Sequence, residues 1–121
     1  MLVITRHRVG PDGLAAFLCS AEPALAALAG RPGCRRAVVA QAIDEGGLVV
    51  VLSEWETVGA YRRALSSYEV KVDAVPLLST ALDEPSAFEP LLADGPDGRR
   101  QWEPDRAPDA DTVGLRRGER E

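Results

Sequence analysis

Three side chains in this 121-residue sequence are equipped for chemistry on a flat organic molecule: His7, Trp55 and Tyr61. His7 is the single histidine, and so the one side chain whose ordinary pKa lies near neutrality, which makes it the first candidate general base. Trp55 and Tyr61 each carry a large apolar body with one polar tip, and the Tyr61 hydroxyl can donate a hydrogen bond to a substrate oxygen. Phe17 and Tyr68 are candidates for the back wall and the mouth of the same pocket. Each residue also has a plain structural reading. A lone strand histidine often serves packing or an interface, and a tryptophan or a helical aromatic stripe usually fills a core.

Trp55 and Tyr61 lie together in the stretch Leu48 to Ser67, LVVVLSEWETVGAYRRALSS, which must position them. Val49, Val50 and Val51 favour a buried strand, Thr57 can cap a helix, and Val58, Tyr61 and Leu65 recur at helical spacing. Upstream, Leu2 to Val9 is β-prone, with Val3, Thr5 and His7 on one face and Leu2, Ile4, Arg6 and Arg8 on the other. Asp12 is placed to cap a helix whose apolar stripe is Leu14, Phe17, Leu18, Ala21, Leu25 and Leu28. Gly30 and Pro32 stop it, and Pro23 is expected to kink or break it near Ser20. Arg35 to Ile43 and Leu48 to Glu56 form a hairpin across Asp44-Glu45-Gly46-Gly47. A short helix capped by Ser66 or Ser67 runs to about Ala74 and ends at Pro76. A last strand region covers Ser79 to Leu92, on an edge or bulged at Pro85.

This order, β-α-β-β-α-β, predicts an α+β fold: a ferredoxin-like antiparallel sheet with helices on one face, in a domain spanning residues 1–92. The third strand is apolar on both faces, so the uncovered face calls for a second copy of the chain, a homodimer. Residues 93–121 carry eight acids and six arginines with few large apolar groups, which predicts a flexible tail with Trp102 as its docking point.

A net charge of -5 and a pI near 4.9 argue against duplex nucleic acid as a partner. No apolar run suits a membrane span or an export signal, so a cytoplasmic location is expected. Cys19 and Cys34 have no ligand-spaced neighbours, so no metal site is expected and reduced thiols are. Neither Asp12-Gly13 nor Gly46-Gly47 has phosphate-loop spacing.

The segment SEWET leading into VGAYRRALSS, followed by YEVKVDAVPLLSTALDEPSAFE, resembles the antibiotic biosynthesis monooxygenase (ABM) family of small dimeric α/β-barrel proteins, over about Leu2 to Leu92. The resemblance implies a pocket between sheet and helices that takes a small aromatic ligand. It implies oxidation of a phenolic, polyketide or quinol-like metabolite by O2 with no cofactor. Such chemistry asks the protein to deprotonate an electron-rich phenol or anthrone whose anion passes an electron to O2, in a dry pocket. Quinone-forming members pair a tryptophan with a tyrosine six residues later, which Trp55 and Tyr61 match. They also place an asparagine four residues before the tryptophan, where this substrate-facing position is Val51. Haem-degrading members use a histidine in the second helical region. No histidine follows Tyr61 here, so haem is not expected. Two functional classes stay open: a cofactor-independent monooxygenase, and a non-catalytic dimeric ligand-binding or accessory protein that Val51 favours.

Overall fold

The computed structural model describes residues 1–104. It divides into a compact unit, Met1–Phe88, and a second that begins at Glu89. In the first unit the strands β1 (Leu2–Arg8), β2 (Cys34–Gln41), β3 (Leu48–Trp55) and β4 (Ala87–Phe88) form one sheet in the order β2-β3-β1-β4. Every pairing is antiparallel, with β1 in the sheet's interior beside β3. This is the expected ferredoxin-like arrangement.

Register decides which side chains meet. Thr5 faces Val51 and His7 faces Val49 across β1 and β3, while Val39 and Ala37 of β2 sit opposite Val51 and Ser53. Because alternate residues share a face, Val3, Thr5, His7, Val49, Val51, Ser53 and Trp55 all point to the helix layer, and all are buried. The opposite face presents Leu2, Ile4, Val38, Val50 and Leu52, half-buried, with Phe88 45% exposed.

Helix α1 (Leu14–Ala29) covers the first side through Ala21, Ala24 and Leu28, with Phe17 and Leu25 packed against that core. Two expectations for α1 are corrected. Its N-cap is Gly13, which has no side-chain acceptor, and not Asp12. Pro23 does not break the helix. Both Pro23 and Cys19, whose carbonyl would have taken the missing amide hydrogen, lie on the exposed side, where water can satisfy that carbonyl. Leu18, placed in the apolar stripe, is 41% exposed.

Helix α2 (Val58–Leu65) starts where Thr57 accepts a hydrogen bond from the Ala60 amide at 3.0 Å. Ser67 caps α3 (Tyr68–Asp73) in the same way. Pro76, expected to end this helix, sits in the first turn of α4 (Val75–Leu78), where its missing donor costs nothing. The last strand is shorter than Ser79 to Leu92. Leu82 donates to Arg6 and Ser86 accepts from Ile4 along the outer edge of β1, but only Ala87–Phe88 form a strand beyond Pro85.

In the second unit, β5 (Leu92–Gly95) and β6 (Gly98–Gln101) pair as a hairpin within the stretch expected to be a tail without structure. An Asp94–Arg99 ion pair and the Arg100 guanidinium 4.7 Å above the Trp102 ring supply local contacts that need no core. The tail expectation for residues 105–121 lies outside the described residues.

The entry to β2 depends on a close approach. Gly33 has φ of +88°, its carbonyl accepts from the Glu56 amide, and a Cβ there would meet the Ala60 Cβ at 2.5 Å. Gly10 has a similar φ of +77° but open space around it. Gly10→Ala should therefore cost about 1 kcal/mol of backbone strain alone, and Gly33→Ala about 2–3 kcal/mol, as read from urea denaturation midpoints.

Candidate functional site

Trp55 ends β3 fully buried, and its indole N–H donates to the Ser53 hydroxyl at 2.8 Å. Removing roughly 200 Å² of aromatic surface from water is worth about 5 kcal/mol, so this residue is core as well as pocket support. Its ring lies 5.4 Å from that of Tyr61, tilted by 55°. One turn of α2, started by the Thr57 cap, carries Tyr61 back over the strand it follows.

Tyr61 opens into a cavity of about 390 Å³ in the first unit, at the lower end of the size range of small-molecule sites. Leu65, Val75, Leu78 and Leu82 give it apolar walls. Its polar lining residues are Thr5, Tyr61, Ser79, Ser86 and Glu84. No Lys or Arg lines it. Glu84 is held at the rim by two 2.7 Å bonds from Arg6, which keep its carboxyl below the ordinary carboxylate pKa. Burial pushes the Tyr61 phenol above its ordinary value, so at neutral pH it is a hydrogen-bond donor and not a base.

His7 is buried behind the cavity and is not one of its lining residues. Its Nε2 lies 2.8 Å from Thr5 Oγ1 and its Nδ1 lies 2.9 Å from Thr80 Oγ1. Desolvation lowers its pKa below the ordinary 6.5, against the opposing effect of its contact with Thr80. Phe17 packs its ring 5.2 Å from the imidazole, so it backs His7 rather than the cavity. Val51 is likewise buried and acts through its backbone, with its carbonyl 3.5 Å from Thr5 Oγ1.

Tyr68 does not border the pocket. It is 76% exposed, because α3 turns Val70 inward and leaves its first residue outside. Glu54 stands opposite Trp55 as alternation requires, near Arg35 and Arg36, while Glu56 is exposed. Thr5 and Glu84 were missed as lining residues. Thr5 was legible in principle, since it shares the His7 face of β1. For Glu84, nothing in the sequence announces its pairing with Arg6.

His7, the sole imidazole of the chain, has both ring nitrogens engaged by threonine hydroxyls, so the residues present do not fit histidine ligation of haem iron in this cavity. Among the described residues no three His, Cys, Asp or Glu side chains group as metal ligands, and no helix is long and apolar enough to cross a membrane.

The family model for antibiotic biosynthesis monooxygenases matches residues 1–72. The chain belongs to that family. Solved structures share its fold. A conserved protein from Methanosarcina mazei Go1 superposes with a TM-score of 0.59 at 23% identity, covering 71% of this chain and 84% of that one. Rv0793 from Mycobacterium tuberculosis gives 0.59 at 22%, covering 74% and 93%. SnoaB, a cofactor-independent oxygenase from Streptomyces nogalater, gives 0.56 at 22%, covering 66% and 80%. No curated protein sequence matches the chain. At these identities the likeness defines the fold of this ABM protein, and its site must be argued from its own residues.

The depressed pKa of His7 has a measurable consequence. The unfolded chain takes up a proton near pH 6.5, before the buried imidazole does, so stability from this residue is complete above about pH 6.5 and falls as pH drops toward the folded-state pKa. Denaturation of the wild type should show a slope of up to about 1.4 kcal/mol per pH unit in that window. His7→Gln should flatten it.

Proposed function

We propose that this protein oxidises a small, uncharged hydroxylated aromatic compound, a phenol, quinol or polyketide-like metabolite, with O2 and without a cofactor. The observation that carries the reading is that Tyr61, with its phenol neutral, and Thr5 line one largely apolar cavity backed by Trp55. Apolar walls suit aromatic rings, and two hydroxyls suit an oxygen that gains negative charge on deprotonation. No Lys or Arg lines the cavity, and the Arg6 guanidinium at its rim is already committed to Glu84, so an uncharged ligand suits it best.

The chemistry balances simply. The phenolic substrate loses its proton, its anion passes an electron to O2, and the radical pair combines at ring carbon. Loss of water from the resulting hydroperoxide leaves a quinone, so one oxygen atom enters the product and the other leaves as water. The organic substrate supplies all the reducing equivalents, and the protein supplies orientation, a donor for the phenolate oxygen, and exclusion of water. The description of SnoaB as a cofactor-independent oxygenase supports this reading. Free thiols at Cys19 and Cys34 suit the reducing cytoplasm that we assign to it.

A second reading, a ligand-binding protein without turnover, is favoured by one observation. Val51 is apolar and buried where quinone-forming relatives place an asparagine amide. An oxygen-electrode screen with hydroxyanthrones and hydroquinones separates the two. The oxygenase reading expects uptake above the buffer rate, reduced about tenfold or more in Tyr61→Phe while ligand affinity changes only a fewfold. Binding with no uptake by any compound assigns the second reading instead.

The uncovered sheet face leads us to propose a homodimer as the working form. Leu2, Ile4, Val38, Val50, Leu52 and Phe88 share this face with Arg6, which is paired to Glu84, with Arg8 and with the Glu54–Arg36 pair. Analytical ultracentrifugation at micromolar concentration should return the dimer mass, and Leu52→Arg should give a folded monomer. A wild-type monomer under those conditions rules the dimer out.

A further inference from the structure

We propose that Thr5 is the catalytic hydroxyl of the cavity, carrying a proton from the bound phenol to His7, with Thr80 as a positioning residue that fixes the imidazole tautomer. The proposal deepens the oxygenase reading and rests on it for the identity of the ligand. Thr5 alone among the described residues both lines the cavity and contacts a histidine nitrogen. His7 is buried, does not itself line the cavity, and meets the lining at Thr5.

The direction of each hydrogen bond follows from the partners. Thr80 donates its hydroxyl hydrogen to the Leu77 carbonyl at 2.8 Å, so toward His7 it can only accept, and Nδ1 must carry the hydrogen. In the neutral imidazole Nε2 is then bare and accepts from the Thr5 hydroxyl at 2.8 Å. The Val51 carbonyl, at 3.5 Å from the same oxygen, is the weaker competitor. Thr5 thus lines the cavity and directs its hydroxyl hydrogen at a base.

The transfer is a double shift. The ligand O–H bond breaks and its proton joins Thr5 Oγ1, while the Thr5 hydroxyl proton moves to His7 Nε2. A phenolate, an intact threonine and an imidazolium result, and no electron is exchanged. Nδ1–H continues to donate to Thr80. Both nitrogens of this buried histidine are satisfied by threonine hydroxyls, so packing alone would tolerate it. The relay gives it a purpose that its distance from the cavity hides.

The single histidine makes the test direct, because tag-free protein labelled with nitrogen-15 in the imidazole shows one pair of ring signals. The free protein should show a protonated Nδ1 and a bare Nε2. Binding of para-nitrophenol, which O2 does not oxidise and whose anion absorbs visible light, should move Nε2 toward its protonated position and raise the bound anion fraction. Thr5→Val should bind para-nitrophenol within about threefold of wild type but leave Nε2 unmoved, and Thr5→Ser should restore the response. With naphthohydroquinone and O2, Thr5→Val should lose about a hundredfold in turnover and Thr5→Ser should keep most of it. The opposite tautomer, no para-nitrophenol binding, or an Nε2 response that survives in Thr5→Val each overturns the relay. A normal para-nitrophenol response with no O2 uptake by the wild type leaves the relay standing and removes the oxygenase reading.

Discussion

Because successive side chains of paired strands point to opposite faces, the pairing of Thr5 with Val51 commits two whole strands at once. Val3, Thr5 and His7 go to the helix layer together with Val49, Val51, Ser53 and Trp55, and a slip of one residue would exchange all of them for Leu2, Ile4, Arg6 and their neighbours. The buried polar groups make the register costly to change as well as informative. Trp55 N–H needs Ser53, and His7 Nε2 needs Thr5 two residues before it, so both find a partner on the same face of their own strand. The strands thereby satisfy their buried indole and imidazole internally, with only Thr80 recruited from outside the sheet.

The cavity exists because the helices do not cover the sheet evenly. Helix α1 contributes small residues, Ala21 and Ala24, and packs closely. On the other side the chain crosses in three short helical pieces, α2 to α4, whose Leu65, Val75 and Leu78 leave space above Thr5. Short helices joined by serine caps and a proline cannot present one continuous ridge to the sheet. Tyr61 fills part of that gap and turns the rest into a pocket with a defined polar end.

The parts of this arrangement governed by short-range rules could be read from the sequence. Strand alternation put His7 and Thr5 on one face, the Thr57 cap fixed the start of α2, and the apolar β3 run announced a sheet strand with both sides in need of cover. What escaped depends on groups distant in the chain. Thr80, 73 residues from His7, and Glu84, 78 residues from Arg6, show no local pattern that marks them as partners. Tyr68 was misplaced because an aromatic at the start of a helix looks the same whether its turn faces in or out. Pro23 was misjudged because its cost depends on whether the stranded carbonyl meets water, which is a matter of burial. The β5–β6 hairpin was missed because composition reports the lack of a core and is blind to local pairing.

The contact between Gly33 and Ala60 has a meaning for the cavity as well as for the chain. Ala60 immediately precedes Tyr61, and the spacing of α2 from the β2 entry is set where a residue without a side chain meets one with a single methyl. The aromatic wall therefore stands where it does because of a spacer one carbon thick, made by two residues that never touch a ligand. Ring size accepted by the pocket would then be adjustable from behind, through bulk added at position 60 or relieved around it, with every lining side chain left in place.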